Sequence, residues 1–365
     1  MDVIPRCLVV AVAALVVSAC AGGSRDAARA LDELSSGWTT LPGPPEVRNG
    51  AANAWTGTEL LTWGGGVFDG SFLPVKANGW VYDAALKRWS ALPESPLGPR
   101  SYAASAWTGE ELLVWGGTEG REEQFFADGA AYDPDAATWR RLRDAPIGAR
   151  APLSVWTGDE LLVWGSRRVE PRPRDGAAYD PATDTWRTIA TAPIELTDAT
   201  AVWTGREMIV FGAALHGGNF PETETAIAAA YEPTSDTWRR LPDSTLSPQA
   251  STAAWVGREL VAWDYLSGTA AFHPGQGKWR QLPDVPLDSG ECSPESVPVA
   301  ESVFGEYCGQ LAVYDASTDR WRDIAGLDYI GWSFELVPAG DVVLLLGRNA
   351  DTDREQMLAY RPEGA

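Results

Sequence analysis

The sequence predicts an all-β fold: a seven-bladed β-propeller whose last blade is closed by the N-terminal strand, with six blades as the alternative. Three observations predict it. An aromatic residue is followed seven positions later by tryptophan in six places, successive units are 41 to 52 residues long, and each end of the chain carries an unmatched fragment of the same unit. Periods of this length, with four short strands per unit, are those of propeller blades.

The pairs are Tyr82 with Trp89, Tyr132 with Trp139, Tyr179 with Trp186, Tyr231 with Trp238, Phe272 with Trp279, and Tyr314 with Trp321. Each unit begins with a strand of small residues ending in tryptophan, as in "SYAASAW". A tight turn follows at Thr56-Gly57, Thr108-Gly109, Thr157-Gly158 and Thr204-Gly205, with Val256-Gly257 as the variant. Glycine there supplies the positive φ that a short hairpin needs. Next come an apolar strand such as "ELLVWGG", a loop of variable length, the strand "GAAYDP", and a turn leading to "WRRL" or its equivalent. In Asp180-Pro181-Ala182-Thr183-Asp184-Thr185 the proline presets φ for a type I turn and the aspartates bond nearby amides. The aromatic and the tryptophan flank that turn on consecutive strands, so they are read as cross-strand packing partners.

The glycine pair after the apolar strand, followed by Tyr and Trp with six residues between them, resembles the kelch repeat. The resemblance covers nearly all of the chain from residue 38 and implies the propeller architecture of the galactose oxidase central-domain-like superfamily. Blade six departs from it, because "SVPVAESVFGEYC" lacks both the tryptophan and the Thr-Gly turn. "MLAY" at 357–360 has no tryptophan strand after it, and "GWTTLPGPP" at 37–45 has no aromatic strand before it. Joining Tyr360 to Trp38 completes a seventh blade and removes an exposed sheet edge.

The first twenty residues carry Arg6, an apolar run from Cys7 to Val17 and then "VVSAC". The run falls short of the roughly 20 apolar residues that span a bilayer and reads as a secretory signal. Val17-Ser18-Ala19-Cys20 resembles the bacterial lipobox, which implies cleavage before Cys20 and a lipid anchor on it. The expected organisation is therefore a signal peptide at 1–19, lipidated Cys20 and a polar linker through 37, and a propeller over 38–362. The expected location is extracytoplasmic, tethered to the membrane of the cell envelope. Outside the cytoplasm thiols pair, and Cys292 and Cys308 are the expected disulfide, contributing on the order of 3 kcal/mol in the chain-entropy account. The formal charge of −21 excludes a phosphate-binding footprint, so no nucleic acid partner is expected.

With strands a to d alternating in direction, the a–b and c–d turns share one face and the variable b–c and d–a loops share the other, where recognition is usually built. Phe68, Phe72, Phe125, Phe126 and Phe220 stand in the b–c loops among glycines and charges, a composition suited to a glycan or a peptide. Arg48, Arg100 and Arg150 precede the strand-a tryptophan by six or seven residues and are expected at the mouth of the central channel. There they would grip a carboxylate or sulfate; the alternative is pairing with acids such as Asp198 or the Glu122–Glu123 segment. The copper oxidases that resemble galactose oxidase use two His and two Tyr. Here His216 and His273 are the only histidines, and His273 sits in a c–d turn on the opposite face. No metal, cofactor or catalytic residue is expected, and no GxSxG, HExxH, CxxC or phosphate loop is present. The functional expectation is a noncatalytic, membrane-tethered lipoprotein that presents one loop face to a glycan or protein. The alternative, drawn from the resemblance, is a carbohydrate-active envelope enzyme such as a sialic acid-type mutarotase or epimerase.

Overall fold

The computed structural model describes residues 31–67, 74–119, 124–166, 172–196, 198–216, 220–221, 225–247, 252–264, 267–287, 294–324, 329–349 and 351–363. Seven four-stranded antiparallel sheets form a closed ring. The innermost strand a of blades one to seven is Asn49–Trp55, Ala104–Trp107, Leu153–Trp156, Ala199–Trp203, Thr252–Val256, Glu295–Val299 and Tyr329–Ala339. Each packs against the a strand of the next blade, and the seventh returns to the first. Blade seven follows the order Tyr329–Ala339, Val342–Asn349, Glu355–Arg361 and then Gly37–Leu41, with Trp38 directly opposite Tyr360. The chain is thus clasped as the unmatched ends predicted. Blade six keeps the common pairing although its a–b turn has Ala300 at φ 48° where the other blades use glycine.

The seven-residue spacing is explained by both sheet register and contact between blades. Tyr82 and Trp89 are Cα partners with ring centroids 5.2 Å apart, and the other five pairs repeat this at 5.0 to 5.4 Å. Each tryptophan also reaches the preceding blade. Trp139 donates its indole N–H to the Pro93 carbonyl at 3.2 Å, Trp186 to Arg143 at 3.0 Å and Trp238 to Ala190 at 2.7 Å. In blades two to six its ring meets an aromatic of the preceding blade's strand b, as in Trp63–Trp139 at 5.7 Å and Trp115–Trp186 at 5.4 Å. In five of the six pairs the tryptophan thus covers apolar area within its blade and supplies a directed bond across the seam, Trp321 being the exception.

The a–b hairpins show why threonine precedes glycine. Gly57 takes φ 100°, and the Thr56 hydroxyl accepts the Glu59 amide at 2.9 Å; Thr108, Thr157 and Thr204 repeat the bond to Glu111, Glu160 and Glu207. Those glutamates then anchor a belt that runs from blade to blade on this face. Arg140 binds Glu111 with both Nε and Nη2 (2.8 and 2.5 Å) and donates to the Tyr179 hydroxyl of the next blade at 3.1 Å; Tyr179 in turn donates to Asp184. Arg187, Glu160, Tyr231 and Asp236 repeat the set. Burial first, then the aspartate beside each, pushes the hydroxyls of Tyr179 and Tyr231 up to about 12 despite the adjacent arginine. The belt is missing a link in blade one, where Ser90 occupies the arginine position and the Glu59 carboxyl is pushed up by burial and then by Asp83 and Asp135.

Candidate functional site

Arg48, Arg100 and Arg150 lie at the d–a entries as expected, yet their side chains turn into the blades and do not line the channel. Their exposures are only 6%, 1% and 5%. Arg100 bonds the carbonyls of Gly98 and Gly116, both at 3.1 Å, and Asp128 at 2.8 Å, while its guanidinium lies 4.1 Å over the Phe126 ring. Arg150 takes Asp175 bidentately at 2.9 and 3.1 Å; Arg48 takes Glu46, the Gly64 carbonyl and Asn78. Burial works to raise the Asp128 carboxyl, but the bonds and charge of Arg100, helped by Arg141, hold it below the ordinary carboxylate range. The acids engaged are therefore Glu46, Asp128 and Asp175 rather than Asp198 or the Glu122–Glu123 pair.

The backbone of the same residues joins neighbouring blades. The Arg100 carbonyl accepts the Gly65 amide of blade one at 2.9 Å, and the Arg150 carbonyl accepts the Gly117 amide of blade two at 2.8 Å. Gly64 and Gly116 sit at φ 72° and 70°, and a Cβ on either would lie 2.8 or 2.7 Å from that arginine carbonyl. The glycine pair of the repeat is thus the surface on which the next blade's entry segment rests. An arginine repeating in step with the blades is the sequence signal for this staple.

Among the b–c loop aromatics, Phe125 and Phe126 are half-buried, with Phe126 packed under Arg100 and Phe125 bridged to Thr118. Phe220 stands opposite His216 in a short two-stranded ribbon. Phe68 and Phe72 lie outside the described residues, as do Cys20 and Cys292. Cys308 ends the b–c hairpin of blade six at φ 51°. Among the described residues no group of three His, Cys, Asp or Glu side chains is placed to hold a metal, and no helix is long and apolar enough to cross a membrane.

What occupies the axis instead is a cavity of about 270 Å³ bounded by strand a or its entry segment in six blades, including Ala51, Tyr102, Ser105, Ser154, Thr200, Glu295 and Glu335. Most of these residues stand at the starts of their strands, so the cavity belongs to the b–c and d–a face. Glu335 of blade seven reaches across to blade one, where it accepts the amides of Gly50 and Ala51 and the Asn53 Nδ2 at 3.0 Å. It is half-buried and keeps part of its surface open to the channel. Burial, followed by repulsion from Glu295, pushes its carboxyl up to about 8, and the three bonds from blade one only partly oppose this. A carboxyl perturbed by burial and by a neighbouring charge in a cleft is a candidate functional group. Sequence reading missed both residues, because blades six and seven lack the tryptophan and Thr-Gly signals that locate strand a elsewhere. The lone charge in "FELV" was the available clue.

Comparison with known proteins agrees with this architecture. The search of curated proteins gives no match. Among solved structures, YjhT superposes with a TM-score of 0.54 at 17% identity, covering 78% of this chain and 99% of its own, a likeness of fold alone. The KLHDC2/KLHL20/DRC7 Kelch-repeats domain matches residues 49–261, from strand a of blade one into strand b of blade five. With more than half its length matched, the chain belongs to the KLHDC2/KLHL20/DRC7 Kelch-repeats domain family.

Proposed function

We propose that this protein is an envelope-anchored recognition module, tethered through Cys20, that presents the b–c and d–a face of its propeller to a glycan or protein partner. The observation that carries the reading is the contrast between the faces. The a–b and c–d face is locked by repeated Glu–Arg–Tyr–Asp contacts, while the other face holds loops of differing length around the axial cavity. Rigid scaffold under variable loops is the usual arrangement for binding. Arginines turned inward and two carboxylates in the cavity weigh against nucleic acid and against an anionic ligand at the axis. A Cys292–Cys308 bridge would brace the blade-six loops of that face, and the disulfide-bonded state of Cys308 supports the pairing.

The test is capture on glycan arrays and by cross-linking in envelope extracts, using full-length protein. Replacing Phe68, Phe72 and Phe125 together by alanine is expected to abolish capture, and Lys278→Ala on the opposite face to leave it intact; the reverse pattern would overturn the reading. Cys20→Ala is expected to release the protein from membranes, and retention would refute the anchor. A second reading, a carbohydrate-active enzyme, is supported by the perturbed Glu335 beside Glu295. It requires sugar anomerisation that is lost in Glu335→Gln, and the acidic cavity favours neutral or amino sugars over acidic ones.

A further inference from the structure

We propose that the junction of blades four and five, on the a–b and c–d face, binds the phosphate monoester group of a small organic molecule through Arg206, Arg239, Arg258 and His273. The site lies opposite the recognition loops and stands independently of them. Its basis is a second break in the belt, in blade five. A complete link sets an arginine of strand d against the tyrosine hydroxyl of the next blade, and that hydroxyl donates to the aspartate five residues on, as in Arg187, Tyr231 and Asp236. In blade five the tyrosine position holds Phe272 and the aspartate position holds Gly277. Gly277 keeps the backbone of Asp184 and Asp236, with φ 60° against 50° and 49°, but brings no carboxylate. The acid that ends strand c in blades one to four and six, from Asp83 to Asp315, is His273 here.

Blade five thus drops three acceptors of the repeat while the donors around them are kept. Arg239 binds Glu207 through Nε and Nη2 at 3.3 and 2.7 Å, and its Nη1, whose counterpart on Arg187 donates to Tyr231, has no such hydroxyl to meet. Arg206 reaches Glu232 of its own blade through Nε at 2.6 Å and leaves both terminal nitrogens over. Arg258 holds the same place in the hairpin of blade five, where the acid has become His273, and among the described residues its guanidinium makes no hydrogen bond or ion pair. Nor does the His273 side chain, whose Nδ1 is buried without a partner. These four residues line one open pocket of about 400 Å³, with Glu207 the only carboxylate in its wall. In a chain of formal charge −21, that is a local excess of cations.

The number of donors selects the anion. A carboxylate spreads one charge over two oxygens, which a single guanidinium fork satisfies. A phosphate monoester carries about 1.5 to 2 negative charges on three acceptor oxygens, and the uncommitted N–H groups of three arginines from two blades match that demand. Trp255, half-buried in the same wall, offers an aromatic face to the organic part of the ligand. The flanking c–d hairpins carry Asp236, Asp315 and Asp319. They repel an extended anionic surface such as a membrane, whereas a single phosphate group meets only the cations of the pocket.

The experiment is calorimetric titration of the full-length protein in detergent with phenyl phosphate and glucose 6-phosphate, each beside its matched comparator, benzoate and glucose. Binding of either phosphate at least tenfold tighter than its comparator would support the proposal, provided that the affinity falls at least tenfold in both Arg258→Gln and His273→Asp and is unchanged in Arg88→Gln of the blade-one hairpin. Arg258 is an exposed side chain, so its replacement tests the site without disturbing the fold, and His273→Asp puts back the acid that the neighbouring blades carry. Phe272→Tyr offers Arg239 the hydroxyl its counterparts bond and is expected to weaken phosphate binding as well. Benzoate binding as tightly as phenyl phosphate, an equal loss in Arg88→Gln, full affinity in the Arg258 and His273 variants, or silence from both phosphates would overturn the proposal. Sedimentation with phosphatidic acid vesicles in the absence of binding to either soluble phosphate would overturn it in favour of a membrane surface.

Discussion

Replacing Glu335 by glutamine separates the cost of a buried charge from the packing around it. The two side chains have nearly the same shape, and the glutamine oxygen still accepts the Gly50 and Ala51 amides. In the folded protein the carboxyl titrates near 8, against an ordinary value of 4.5. Between these values the folded state holds a proton that the unfolded chain has released, so wild-type stability falls as pH rises through this window and levels off above it. Each unit of that difference corresponds to about 1.4 kcal/mol. Full desolvation would bring the loss to about 4–5 kcal/mol; with part of the carboxylate open to channel water, about 2 kcal/mol is the expected size. Glu335→Gln does not titrate there. Urea denaturation at pH 5 and pH 8.5 is expected to show near-equal stabilities at the lower pH and the variant more stable by about 2 kcal/mol at the higher. Groups that do not interact with Glu335 titrate alike in both proteins and cancel in the difference. A difference independent of pH, or a variant less stable at pH 8.5, would refute the reasoning.

Three further outcomes follow from the scaffold. Trp38→Ala removes the ring packed at a tilt against Tyr360 at 4.9 Å and edge-on to Phe304 at 6.0 Å, so it is expected to cost about 3 kcal/mol in chemical denaturation and to unclasp blade seven first in hydrogen exchange. Arg100→Lys keeps the charge but loses the planar fork that reaches Gly98 through Nε and Gly116 and Asp128 through Nη1, and should still destabilise by about 2–3 kcal/mol, with recovery to wild-type midpoint arguing against the staple. Ser90→Arg restores the missing belt link beside Glu59 and Tyr132, and is expected to raise stability by about 1 kcal/mol; a lower melting temperature would show that blade one does not share the register of its neighbours.

Much of the fold was legible because the repeat is local. An aromatic and Trp seven residues apart bracket a single hairpin, and that hairpin forms in all six places, so periodicity alone counts six of the seven blades. The clasp was legible for the same reason, Tyr360 and Trp38 being the two halves of one such pair. The arginines were placed on the correct face but given the wrong neighbours. Their direction is set by the carbonyls beside positive-φ glycines, as at Gly116, and by Asp128 or Asp175, contacts between strands that spacing does not reveal. Glu335 was illegible because its partners are Gly50, Ala51 and Asn53, more than 280 residues away and brought near only by ring closure.

The claim that one face recognises a partner is tested most directly by hydrogen exchange on the full-length protein with and without material captured from the cell envelope. The account predicts added protection confined to the b–c and d–a segments and to the starts of strands a that surround the axial cavity, with the Thr-Gly hairpins and the Glu–Arg–Tyr–Asp belt unchanged. Protection centred on those hairpins and the belt, with the loop face unaltered, would contradict it.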